Sequence, residues 1–177
     1  MNGGDLLDRL GEVAAALADF GAQPVLVGGM ALVVLGSTRV TRDVDFVVAH
    51  PGDRLAALVE LFYERDFELA ARLDDRGEVT ATIDNPRVAS VRLRLDAPVN
   101  ASFLNRATRL RVDLLFDFPI LAAELAERSA RRTIRSWRLH IASDADLLQL
   151  KRLAYADRGL ATDAQDIAFL EARARGA

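Results

Sequence analysis

Pro24-Val25-Leu26-Val27-Gly28-Gly29-Met30-Ala31-Leu32-Val33-Val34-Leu35-Gly36-Ser37-Thr38-Arg39-Val40-Thr41-Arg42-Asp43-Val44-Asp45-Phe46-Val47-Val48 reads as a compact unit. A short apolar strand (25–27) meets a glycine pair at a turn, a short apolar helix (30–35) follows, and a second strand runs from Asp43 to Val48. Side chains alternate along that second strand, so Asp43, Asp45 and Val47 share one face while Val44, Phe46 and Val48 share the other. The two carboxylates lie about 6.5 to 7 Å apart along the strand. At that separation they can converge on one cation, or on a pair of cations roughly 3.5 to 4 Å apart. Left bare, two like charges so placed repel. The plainer alternative is that Asp43 caps a strand end and Asp45 sits on a solvated edge.

The surroundings favour chemistry. A glycine pair that opens a helix lets backbone N–H groups approach a phosphate, and the helix N-terminus favours an anion. Arg39, Thr41 and Arg42 add charge and a hydroxyl just ahead of the aspartates.

Working outward, 177 residues with 51% hydrophobic and 28% charged content suit one domain with a real core, or a domain with a small helical appendage. No apolar run approaches the roughly 20 residues of a membrane span, and the segment from Met1 to Asp5 lacks the basic and apolar character of a leader. A cytoplasmic protein without membrane partners is expected. There is no cysteine, and His50 and His140 are the sole histidines. Disulfides and thiolate metal sites are excluded, a zinc site is not expected, and any metal should be a hard, oxygen-seeking one. The net charge of −3 says little in favour of bulk nucleic-acid binding, and the distribution of charge matters more than its sum. Lys151 is the sole lysine.

Upstream, residues 5–20 show helical spacing and end at Gly21, a packing helix. Downstream, 54–63 is amphipathic and predicts a helix. Strands are predicted over 67–73, 78–83 and 88–95, joined by turn sequences at 74–77 and 84–86. Another strand is expected over 109–117, with Leu110, Val112, Leu114 and Phe116 on one face and Arg109, Arg111, Asp113, Leu115 and Asp117 on the other. A mid-strand carboxylate at Asp113 is a poor choice for strand propensity, and local rules of that kind are broken at functional sites. An ordinary solvated face carrying Arg111 and Asp113 is the alternative. Asp117, nearer Pro119, reads as a turn residue. A helix is expected over 120–130, then two short strands around Ser136-Trp137. The arginines near Trp137 read as a solvated helix end and hairpin, with RNA contact as the alternative.

The last third predicts a helical pair. Ser143 is an expected N-cap for a helix running to Gly159, and Thr162 with Gln165 forms a capping box for a helix over 163–173. Lys151, Tyr155 and Arg158 share a face of the first helix. Lys151 sits where burial begins, which a purely solvating lysine need not do; a snorkelling side chain is the plain account.

Gly28-Gly29 followed by Arg39-x-Thr41-x-Asp43-x-Asp45 resembles the signature of the nucleotidyltransferase superfamily, with its polymerase-β-like fold. It is most similar to the small AbiEii-type proteins, the toxin side of bacterial type IV toxin–antitoxin systems. Leu150-Lys151-x-x-Ala154-x-x-x-Arg158 and Asp163-x-x-Asp166-x-x-x-Leu170 resemble the C-terminal region of those proteins. The resemblance implies an α+β fold in which helices flank a mixed twisted β-sheet, with a nucleotidyltransferase domain over 1–142 and a C-terminal helical pair, 143–177, packed on it. It also implies a third carboxylate, for which Asp113 is the natural candidate. Asp43, Asp45 and Asp113 would then hold two Mg²⁺ ions. Gly28 and Gly29 would cradle the triphosphate of a nucleoside triphosphate, while Arg39, Thr41 and Lys151 contact phosphate oxygens. The acceptor would be a tRNA 3′ end or a protein hydroxyl, and a cognate antitoxin would be the partner. Two alternatives stay open. Small aminoglycoside nucleotidyltransferases show a similar glycine pair, and Asp74, Asp75 and Glu78 would supply their acidic pocket. A non-catalytic nucleotide-binding or antitoxin-like protein is the other.

Overall fold

A computed structural model of the chain describes residues 3–74 and 77–176. The chain begins with helix α1 (Gly3–Asp19), which buries Leu10, Val13, Ala14 and Leu17 along one stripe. Strand β1 (Val25–Val27), helix α2 (Gly28–Val34) and strand β2 (Asp43–Val48) follow. The glycine pair, expected as a separate turn, forms the first turn of α2. A 3₁₀ turn at Gly52–Arg54 leads into α3 (Leu55–Tyr63), then β3 (Phe67–Leu73) and β4 (Val79–Ile83). Of the turn read between the last two, Asp75 and Arg76 lie outside the described residues, as do Met1 and Asn2 of the N-terminal segment.

The segment read as a strand over 88–95 is instead helix α4 (Pro86–Asp96). Its Val and Leu residues alternate with Arg and so mimic a period of two. Yet Val88, Val91 and Leu95 are exposed, Leu95 to 78%, while Ala89 and Leu93, four residues apart, are buried. Asn85-Pro86 is not a turn but a helix start. The Asn85 Oδ1 accepts from the backbone N–H groups of Arg87 and Val88 at 2.9 and 3.2 Å, and Pro86 takes the first helical position.

Strand β5 (Asn100–Asn105), not expected from the sequence, follows, then β6 (Arg111–Phe116). Helix α5 (Ala122–Arg128), the hairpin β7 (Ala130–Ile134) and β8 (Trp137–Ile141), and helices α6 (Asp144–Arg158) and α7 (Ala161–Arg175) complete the chain. Ser143 caps α6, its Oγ accepting from Asp146 N at 3.1 Å, and Gly159 closes that helix in the left-handed region. The expected capping box is absent from α7. That helix starts at Ala161 without a side-chain cap, which puts Thr162 inside its first turn.

Eight strands form one mixed sheet in the order β4-β3-β5-β6-β2-β1-β8-β7. The pairs β2–β6 and β1–β8 are parallel and the other five are antiparallel. One face of the centre is core: Val44, Phe46 and Val48 lie opposite Val112, Leu114 and Phe116. Phe103 of β5 stacks on Phe62 of α3 with ring centroids 4.1 Å apart, and Phe67 meets Phe62 edge-on. Each buried aromatic or aliphatic side chain of this layer contributes about 1.5–3 kcal/mol. Because strand side chains alternate, burying 44, 46 and 48 turns residues 43 and 45 to the other face.

Candidate active site

The parallel pairing of β2 with β6 sets the geometry. Asp45 lies opposite Asp113 and Asp43 opposite Arg111, so the three carboxylates and one guanidinium share the sheet face opposite Val44, Phe46 and Val48. Arg111 Nη2 donates to Asp43 Oδ2 at 2.7 Å, and its Nε donates to Asp113 Oδ2 at 3.1 Å. A third donor, Nη1, reaches the carbonyl oxygen of Gly77 at 2.5 Å. The other oxygen of Asp113, Oδ1, is buried without a hydrogen-bond partner.

Electrostatics make this face strained without a cation. Burial, then the charges of Asp113 and Asp43, push the Asp45 carboxyl up to about 7. Burial raises Asp43 as well, against the pull of Arg111. These carboxylates offer only hard oxygen donors, and an orphaned oxygen beside a destabilised carboxylate is relieved by a divalent cation, so the donor chemistry fits one. As they stand, however, no three acidic or histidine side chains among the described residues form a group that could hold a metal ion. The Arg111 guanidinium already holds one oxygen of Asp43 and one of Asp113.

Beside the carboxylates opens a cavity of about 560 Å³. Gly28, Gly29, Arg39, Thr41, Asp43, Asp45 and Lys151 all contribute to its lining; of the residues expected at the site, Asp113 alone lies outside it. Gly28 has φ +66°, and a Cβ there would stand 2.0 Å from Asp45 Oδ2. At Gly29 a Cβ would stand 2.8 Å from the Arg39 guanidinium carbon. The glycine pair therefore lets β1 hand over to α2 in direct contact with Asp45 and Arg39. Gly28→Ala is expected to destabilise the fold by about 1–3 kcal/mol and to displace Asp45. A urea midpoint equal to that of the parent protein would contradict this.

A string of ion pairs ties the glycine turn to the C-terminal helices. Arg39 pairs with Asp166 of α7, and Lys151 Nζ lies 2.7 Å from Asp166 Oδ2 and 3.2 Å from Asp163 Oδ1. Arg158 adds two bonds to Asp163, at 2.8 and 3.0 Å. Lys151, Asp163 and Asp166 are buried. Burial alone would raise the Asp163 carboxyl, but the hydrogen bonds and charges of Arg158 and Lys151 hold it below the usual range. Thr41 Oγ1 accepts from the backbone N–H of Asp43 at 3.3 Å, fixing the entry to β2.

Three participants escaped the sequence reading. Arg111 was visible only as a neighbour of Asp113, and its bond to Asp43 spans 68 residues. Asp163 and Asp166 stood in the quoted C-terminal pattern, at i and i+3 on one helix face, without a partner assigned to them. Two of the arginines around Trp137 are engaged within the fold: Arg128 pairs with Asp146, and Arg135 pairs with Asp8, which also takes the Trp137 indole N–H. Asp117, read as a turn residue, accepts from His50 N and Ala122 N with φ +50°.

Solved structures share this architecture at low identity. An antigenic nucleotidyltransferase-like protein from Paracoccidioides brasiliensis superposes with a TM-score of 0.62 at 17% identity, over 96% of this chain and 77% of its own. The antibiotic-resistance factor ANT(2'')-Ia gives 0.58 at 12%, over 94% and 80%. The lincosamide antibiotic adenylyltransferase LnuA, solved with lincomycin bound, gives 0.56 at 10%, over 90% and 92%. These likenesses establish the fold. No curated protein matches the chain. Among the described residues no helix is long and apolar enough to cross a membrane. The sequence profile described as "Nucleotidyl transferase AbiEii toxin, Type IV TA system" matches residues 13–175, and the chain, with its two in-register strands of acidic residues beside a glycine turn, belongs to that family of nucleotidyltransferase toxins.

Proposed function

We propose that the chain moves a nucleoside monophosphate from a nucleoside triphosphate to a hydroxyl of tRNA or of a protein, with magnesium held by Asp43, Asp45 and Asp113. The observation that carries this reading is the register that sets Asp45 opposite Asp113, on one face with Asp43, beside a cavity bordered by Gly28, Gly29 and Arg39. A bound Mg²⁺ would supply charge neutralisation and polarise the phosphoryl group under attack.

The chain's own residues would do the rest. Gly28 and Gly29 bring backbone N–H groups close to the triphosphate, where no Cβ intervenes. Arg39 and Lys151 lie in the same wall and balance phosphate charge. Lys151 has three donors, of which Asp163 and Asp166 take two among the described residues. The acceptor oxygen attacks the α-phosphorus, the bond from that phosphorus to the bridging oxygen of the β-phosphate breaks, and pyrophosphate departs. The hydroxyl proton passes to the carboxylate face, of which Asp43 and Asp45 border the cavity. A toxin of this kind works against a cognate antitoxin.

Incubating the protein with each of the four α-³²P-labelled nucleoside triphosphates and a bacterial lysate, then separating RNA from protein, tests the reading. Label is expected in one macromolecular fraction and is expected to fall by about 10²–10³-fold in Asp43→Ala, the scale on which removing a charge-stabilising group acts. Equal label with parent and variant would overturn the assignment of Asp43.

A further inference from the structure

We propose that Arg111 is a built-in cation of the centre: its guanidinium stands where a second divalent ion would otherwise be needed, so that the three carboxylates take up one ion instead of two. The inference rests on the metal-dependent reading above and changes its stoichiometry.

Three independent anchors fix Arg111. It bonds Asp43 of β2, Asp113 of its own strand and the carbonyl of Gly77 in the connection from β3 to β4. These acceptors come from three places in the chain and match the planar fork of a guanidinium, which a lysine could not satisfy. The side chain is only 19% exposed.

Charge and free lone pairs then set what else fits. Arg111 offsets part of the negative charge of the three carboxylates at contact distance, which lessens what a bound cation has to balance. Arg111 holds Oδ2 of Asp43 and Oδ2 of Asp113. Among the described residues Asp45 is bridged by no lysine or arginine, and Asp113 Oδ1 is buried without a partner. The oxygens that Arg111 leaves are Asp113 Oδ1, the second oxygen of Asp43 and those of Asp45. Magnesium needs oxygen ligands at about 2.0–2.1 Å in near-octahedral array. A second ion placed about 3.5–4 Å from the first would compete with the guanidinium for the same oxygens and repel its charge.

Manganese reports the count directly. The whole chain is loaded with Mn²⁺ and the α,β-methylene analogue of each of the four ribonucleoside triphosphates. Bound metal is counted by equilibrium dialysis, and its electron paramagnetic resonance spectrum is recorded. The parent protein is expected to hold one Mn²⁺ per chain with an uncoupled six-line signal. Arg111→Ala and the milder Arg111→Gln are expected to hold two, with the spectrum of an exchange-coupled pair. Two coupled ions in the parent protein would overturn the role of Arg111 while leaving metal-dependent transfer standing. No bound ion in the parent protein would overturn both. Variants that melt like the parent yet keep one ion would also overturn it.

Discussion

Asp45→Asn is expected to abolish nucleotidyl transfer and, in the same protein, to raise the melting temperature of the metal-free chain at pH 8. The carboxyl of Asp45 is held up to about 7 by burial and by Asp113 and Asp43. In the unfolded chain it loses its proton near pH 4. Between those two values the folded state binds a proton that the unfolded state does not. This contribution to stability therefore falls as pH rises from about 4 to about 7 and stays at its lowest above that. Asparagine keeps the shape and removes the charge. The gain at pH 8 is expected to be about 2–4 kcal/mol, or roughly 5 to 15 °C in melting temperature, and to vanish near pH 4. Thermal unfolding in a chelator at the two pH values measures it. Magnesium or manganese should then stabilise the parent protein and not the variant. A variant that melts below the parent at pH 8 would show that the carboxylate face is not strained without metal.

Lys151→Met is expected to act in the opposite direction. Its ammonium lies between two buried carboxylates, Asp163 and Asp166, and removing it leaves them facing one another with Arg158 and Arg39 as remaining partners. Removing one partner of a buried ionic group typically costs about 3–5 kcal/mol. Arg158 and Arg39 place the loss near the lower end, read as a drop in urea midpoint. Lys151→Met combined with Asp163→Asn and Asp166→Asn removes the unpaired charges and is expected to recover most of that loss. If the single variant is as stable as the parent, the cluster does not hold α6 to α7. If the triple variant is no better than the single one, the loss came from packing.

Both effects trace to features that differ in how much a linear sequence reveals. The unit from Val25 to Val48 was legible because its signals are local: two glycines end a strand, alternation begins at Asp43, and the apolar positions leave one face for the acids. Asp113 stood out as a carboxylate in the middle of an apolar strand, but it became the candidate third acid only through the resemblance carried by the earlier unit. Arg111 was not, because its meaning depends on register with a strand 68 residues away. The segment after Asp84 misled because Val and Leu alternate with Arg over 88–95. The signal that decides it is Asn85-Pro86, a cap and a first-turn proline. Strand β5 was hidden by asparagine and serine, which seldom favour strands. Pairing with both β3 and β6 supplies what its propensity lacks. Lys151 could be placed at the edge of burial from helical spacing, but its partners sit on the next helix.

A nucleotidyltransferase transfers the α-phosphorus of its substrate and releases the rest. The most direct measurement compares α-³²P-labelled with γ-³²P-labelled nucleoside triphosphate, incubated separately with the protein, Mg²⁺ and a lysate as the source of acceptor. The α label should become bound to macromolecule while the γ label leaves as pyrophosphate, and both events should disappear in Asp45→Asn. Attachment of the γ label, or α labelling that survives in Asp45→Asn, would contradict a catalytic role for the carboxylate face of β2 and β6.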